Sequence, residues 1–146
     1  MQTTTLYDQD FYAWTQQQAE LLRSGRVEGL DIENLAEEIE SLGRQERQEL
    51  RNRLGVLLGH LLKWRYQPEM RSRSWTATVR EQRQQIQDLL NDNPSLKPYL
   101  PEAIRKAYRY GLTLVERETP IALNTLPPAC PFSEAEIFEQ PVELEA

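Results

Sequence analysis

From Asp31 to Tyr66 the chain runs without a proline and carries apolar residues in steps of three and four: Ile32, Leu35, Ile39, Leu42, Leu50, Leu54, Leu57, Leu61 and Trp64. Only Glu46 breaks the stripe, and its period is that of an α-helix with one face turned toward a core. Asp31 offers a carboxylate to the open N–H groups at the start, and Glu33, Glu37 and Glu38 follow near the positive end of the helix dipole. At 1.5 Å per residue such a helix reaches about 54 Å, more than one compact bundle needs, so it either bends or protrudes. Gln67-Pro68 ends it, because the residue before a proline is driven out of the α region.

The other segments read as shorter helices. Asp8 is placed to cap a first one ending near Ser24, with Phe11, Trp14, Leu21 and Leu22 at helical spacing and Gly25 suited to the stop. After Pro68, Ser72 or Ser74 caps a third helix whose inward residues are Trp75, Val79, Gln82, Ile86 and Leu89. Asn91-Asp92-Asn93-Pro94 is turn chemistry, and Pro101 suits the first turn of a fourth helix with Ile104, Ala107, Tyr108, Gly111, Leu114 and Val115 inward. Five of the nine prolines lie from Pro120 onward, which excludes continuous regular structure there, although Ser133 with Glu136 has the pattern of a cap for one short helix. The expectation is an all-α bundle of about four helices built on one long central helix: a single domain over residues 1–146, with the bundle in 1–119 and a tail in 120–146.

Charge and cysteine content narrow the function classes. The net charge is -6, yet Arg44 to Arg83 holds ten Lys/Arg against four Asp/Glu, while Glu28 to Glu40 holds six acids and no base. Such segregation serves either a basic binding face or the neutralisation of an acidic helix by a basic one, and the second, within one protein or between two subunits, is expected. A lone cysteine, Cys130, forms no intramolecular disulfide, and the opening Met-Gln-Thr-Thr-Thr has neither a basic start nor an apolar run. A cytoplasmic location is therefore expected. The longest apolar patch, Val56 to Leu62, is far too short to span a bilayer.

Longer motifs carry a resemblance. Asp31-Ile-Glu-Asn-Leu-Ala-Glu-Glu-Ile-Glu-Ser-Leu-Gly-Arg44 is followed by His60-Leu-Leu-Lys-Trp64, Ser74-Trp75 and Glu81-Gln82-Arg83. Together with Tyr7, Asp10, Phe11 and Trp14 near the start, the Pro94-Ser95-Leu96-Lys97 turn and Cys130-Pro131, they resemble a bacterial family, abundant in cyanobacteria: the domain-of-unknown-function family numbered twenty-nine. The resemblance covers nearly the whole chain and implies an all-helical cytosolic fold. It supplies no activity, cofactor or catalytic residue.

Two groups of residues stand out as binding candidates. On the long helix Glu46 falls at the centre of the apolar arc, with Arg53 and His60 to one side. A carboxylate, a guanidinium and the only histidine on a covered seam, met by Gln82 of the third helix, would make a polar site. The plainer reading is an ion-pair layer that fixes register, with Glu49 and Arg53 paired at i,i+4. The second group interleaves cations with aromatics: Lys63, Trp64, Arg65, Arg71, Arg73, Trp75, Arg80 and Arg83, the composition used for phosphate contact and base stacking. The plainer reading makes Trp64 and Trp75 core anchors on either side of Pro68.

No metal or other cofactor is expected: Glu-x-x-His pairs are missing, and Glu33, Glu37 and Glu40 look like a solvated face. Gly55 and Gly59 lie away from the stripe and invite a close backbone, from the first or fourth helix or from a second subunit. The leading functional expectation is a non-enzymatic helical module that binds a protein partner, or itself, through the long helix and its acidic first half. A nucleic-acid-associated factor using the arginine-rich middle comes second. A hydrolase or lyase with Glu46 and His60 as proton-transfer groups comes third.

Overall fold

A computed structural model describes residues 5–145; residues 1–4, on which the leader reading rests, and residue 146 lie outside the described part. Among the described residues six α-helices follow one another: α1 Leu6–Gln9, α2 Phe11–Arg23, α3 Ile32–Tyr66, α4 Arg73–Asp92, α5 Leu100–Glu118 and α6 Glu134–Phe138. Among the described residues there is no strand, so the all-α expectation holds. No helix among them is long and apolar enough to cross a membrane. Two compact units divide the chain, their boundary falling inside α3 between Gln45 and Glu46.

In the N-terminal unit α2 and the start of α3 are joined through one carboxylate. Asp31 caps α3 by accepting from the Asn34 backbone N–H at 3.5 Å, and also accepts from the Asn34 side chain at 2.8 Å and the Trp14 indole N–H at 3.0 Å. Its own N–H donates to the buried Gln18 side chain at 2.8 Å. The hydrogen bonds from Asn34 hold the Asp31 carboxyl below its usual pKa. Helix α2 stops in a Schellman motif, Gly25 N–H to Leu22 O and Arg26 N–H to Leu21 O, which works because Gly25 takes φ 72°. The expected Asp8 cap moves two residues on: Asp10, with φ -150° and ψ 85°, breaks the helix and caps α2 through Ala13 N–H at 3.1 Å. Asp8 sits instead inside α1, which Thr5 caps.

The C-terminal unit holds the core. Leu50, Leu54, Leu57, Leu58 and Leu62 of α3 are fully buried against Val79 and Ile86 of α4 and Ala103, Ala107 and Val115 of α5, with Leu126 and Ile137 from the proline-containing segment. Helices α3 and α5 approach backbone to backbone. A Cβ at Gly111 would stand 3.0 Å from Gly59 N and 3.3 Å from Gly55 O, and one at Gly59 would stand 3.2 Å from Gly111 O. The close backbone invited by Gly55 and Gly59 is thus the fourth predicted helix of the same chain. Ser133 and Glu136 form the capping box that starts α6, and Pro101 lies in the first turn of α5 as expected.

One part of the apolar stripe is not core. Ile32, Ile39 and Leu42 are 65%, 67% and 61% exposed, and Phe11 and Leu22 of α2 are exposed as well. The physical reason is supply: Trp14 is the one large hydrophobic residue buried among the described residues before Leu50. Periodicity reports that a face is apolar, not that the chain has enough partners to cover it.

Leu57→Asp is expected to abolish the cooperative thermal transition, since an unpaired charge at a fully buried position costs several kcal/mol, on the order of the whole stability of a small domain. Circular dichroism melting checks it. Two glycine substitutions should separate in sign. Gly111→Val meets backbone on α3 and should cost about 2–3 kcal/mol. Gly43→Ala meets nothing within 4 Å and should add up to about 1 kcal/mol by helix propensity. Denaturant unfolding of both variants measures the contrast.

Candidate functional site

The polar seam expected on α3 does not assemble. Glu46 is exposed and needs no buried partner. Arg53 does what the plainer reading asked, pairing with Glu49 at 2.7 Å and reaching Gln82 of α4 at 3.5 Å. His60 is buried, with Nδ1 2.8 Å from the Val56 carbonyl. A carbonyl oxygen only accepts, so Nδ1–H is the donor. Fourteen residues of helix separate Glu46 from His60, about 21 Å along the axis, so the two do not share one reacting atom.

Lys63, beside His60, has the more unusual place. It is buried, pairs with Glu118 of α5 at 3.3 Å and lies with its ammonium 4.7 Å from the Trp75 ring centre. In the sequence it looks like one more member of a basic surface run. The row Gly55, Gly59, Lys63 at i+4 spacing would have placed it: a side chain one turn beyond two close-packed glycines must also face α5. Glu118, seven residues after Gly111, answers it from the facing row.

The arginine and aromatic residues are largely engaged within the fold. Trp64, Arg65 and Arg71 line one cavity of about 200 Å³ together with Phe132 and Glu136. The Arg71 guanidinium stacks 4.5 Å over Trp64 and donates from Nε to the Trp64 carbonyl at 2.8 Å. Arg65 stacks 4.4 Å over Phe132 and pairs with Glu136 at 3.1 Å. Arg83 donates to the Ile137 and Glu136 carbonyls at 2.8 and 3.2 Å, capping the C-terminal end of α6. Arg73 and Arg80 remain exposed, with no ion pair among the described residues. Trp64 and Trp75 are half-buried, each covered by a cation rather than sunk in the core.

Within the N-terminal unit one of these cations neutralises part of the acidic run, as expected. Of the ten cations between Arg44 and Arg83, Arg44 is the one that meets the run among the described residues, at Glu37 (3.0 Å) and Glu40 (4.0 Å). The other partners named above belong to the C-terminal unit because that is where the arginines fasten α6. Nine acids and three bases precede Glu46, so that stretch carries the whole net charge of -6, and the remainder has fourteen of each.

What remains uncovered is the outer side of α3 in the N-terminal unit. Ile32, Ala36, Ile39 and Gly43 fall within about 60° of one another around the helix, and Leu42 lies just to one side. All five are exposed. Glu33, Glu37 and Glu40, also exposed, form an adjoining strip about 60° wide. The flank occupied by Leu35 and Glu38 is less open: both are half-buried, and Tyr7 donates its hydroxyl to Glu38. That hydrogen bond raises the Tyr7 pKa to about 12. Among the described residues no three His, Cys, Asp or Glu side chains are grouped to hold a metal ion.

His60 yields a pH dependence. Burial pushes its pKa below the ordinary 6.5, with Lys63 acting in the same direction, while the Val56 carbonyl and Glu118 oppose it. The unfolded chain thus takes up a proton at higher pH than the folded one. Stability is full above about pH 6.5 and falls as the pH drops through and below it. Denaturant unfolding at about pH 7.5 and 5.5 should show this loss, and a His60→Gln variant should show less of it; identical slopes in the two proteins would exclude His60 as the source.

The same geometry can be set beside other proteins. Comparison with curated proteins and with solved structures gives no match. Residues 6–141 match the family model described as Domain of unknown function DUF29, and the chain belongs to that family.

Proposed function

We propose that this chain is a non-enzymatic helical protein-interaction module, cytoplasmic, whose docking face is the outer side of α3 between Ile32 and Gly43. The observation that carries the reading is the exposure of Ile32, Ile39 and Leu42, each above 60%, in a unit whose one large buried hydrophobic among the described residues is Trp14. Soluble chains seldom leave several large aliphatic residues together on one helix face unless something covers them. A docking helix presents anchors at steps of three and four, and the exposed Ile32, Ala36, Ile39 and Leu42 supply that spacing.

The competing readings have less support. A nucleic-acid role needs free cations, and Lys63, Arg65, Arg71 and Arg83 are already bound to carboxylates, carbonyls or rings of the same chain. Arg73 and Arg80 alone make a thin phosphate footprint. A hydrolase or lyase with Glu46 and His60 needs the two in reach of one substrate, and their separation on α3 opposes that.

A photo-crosslinking residue placed at Ile39 in the native host tests the proposal. It should give a discrete adduct that the same residue at exposed Glu116 of α5 does not. Only unreacted protein at position 39, with the fold intact by circular dichroism, would sink the reading.

A further inference from the structure

The docking face also says what kind of partner suits it, and the following rests on the interaction reading above. We propose that the Ile32–Gly43 face receives a basic amphipathic helix of another protein, with an aliphatic stripe flanked by lysine or arginine.

Charge decides between that occupant and a second copy of this chain. The stretch that carries the face holds the whole net charge of -6. Glu33, Glu37 and Glu40 run directly beside the apolar strip, and the basic residues available before Glu46 are Arg23, Arg26 and Arg44. Arg44 is already committed to Glu37 and Glu40. Two packed helices lie about 8–10 Å apart, comparable to the screening length of about 8 Å at physiological salt, so an acidic row facing its own copy is repelled, though partly screened. A helix with lysine or arginine beside its aliphatic stripe meets the same row with attraction. The strip is also shaped for a close neighbour: a Cβ at Gly43 would meet nothing within 4 Å, and Ala36 adds little bulk between Ile32 and Ile39. A sidelong approach over α2 is open to apolar contact as well, since Phe11, Tyr12 and Leu22 are exposed.

The test uses the full chain and two labelled peptides of about 18 residues, roughly five helical turns, one built from leucine and lysine and one from leucine and glutamate in the same amphipathic pattern. Fluorescence anisotropy should give one-to-one binding of the lysine peptide alone, weakening with added salt. Ile39→Asn should weaken it about tenfold or more, as loss of a central anchor does, and so should the Glu33→Gln, Glu37→Gln, Glu40→Gln combination. Glu143→Gln with Glu145→Gln, acids near the C-terminus, should change it less than about twofold. All these positions are exposed, so each variant folds, and thermal melting verifies it.

Binding that ignores Ile39→Asn would reduce the effect to bulk charge attraction and overturn the proposal. So would binding of the glutamate peptide, or a dimer in sedimentation that Ile39→Asn breaks. The crosslinking at position 39 separates the two claims: an adduct to a second copy or to a partner segment without lysine or arginine leaves the interaction module standing and removes the basic helix. An adduct mapped to a basic amphipathic helix supports both.

Discussion

The C-terminal unit depends on one crossing, where the α3 backbone at Gly55 and Gly59 comes against the α5 backbone at Gly111, with the Tyr110 and Leu114 side chains seated on the two α3 glycines. Close approach brings Leu58 and Leu62 into the core beside Leu54 and Leu57, so that α3 is apolar over more than half its circumference there and every one of these leucines is covered. Glycine lowers helix stability by about 1 kcal/mol per residue relative to alanine, a loss that the packing of the crossing offsets. The same register sets Lys63 against Glu118. A buried ammonium is tolerable because a carboxylate and the face of Trp75 replace its water, and Glu118 keeps part of its own hydration.

A second consequence concerns the chain after Pro120. Five prolines deny this segment a continuous ladder of its own hydrogen bonds, so it is fastened from outside. Tyr108 donates to the Pro127 carbonyl at 2.6 Å, Arg83 holds the end of α6, Arg65 holds Glu136, and Ile137 fills the core. Burial raises the Tyr108 pKa to about 12. The arginine-rich middle of the sequence is, in this sense, the complement of the proline-rich end. Guanidinium suits the task because its fork reaches two carbonyls at once and its plane stacks on aromatic rings.

Much of this was legible before any coordinates. Helix positions, the Gly25 stop, the Ser133–Glu136 box, the Arg53–Glu49 pair with Gln82 beyond it, and a close approach at Gly55 and Gly59 all follow from local rules whose causes lie within a few residues. Burial was less legible, because it depends on what else the chain can supply. Glu46 and Ile39 share one strip of one helix in the sequence, yet both end in water. The partners of the arginines were less legible for a related reason: charge density along the chain says nothing of distant carbonyls and rings, and the fold binds Arg65, Arg71 and Arg83 to carbonyls, rings and a glutamate more than forty residues away or just across Pro68.

The N-terminal unit follows a different logic from the core. Asp31 joins Trp14, Gln18 and Asn34 through directional bonds, and Phe11 stacks on Trp14 while Tyr7 meets both rings edge to face, with ring centres 4.7–5.6 Å apart. Bonds of that kind fix where α2 meets α3 without burying much apolar surface. A pair of helices positioned by polar contacts can leave Ile32, Ile39 and Leu42 exposed and still hold them in a defined arrangement. In the proposed docking role, preorganisation of that sort would lower the ordering cost of binding, and the acidic row beside the strip would select among helices by their charge. A hydrophobic latch between the same two helices would have used up the very surface that is left open.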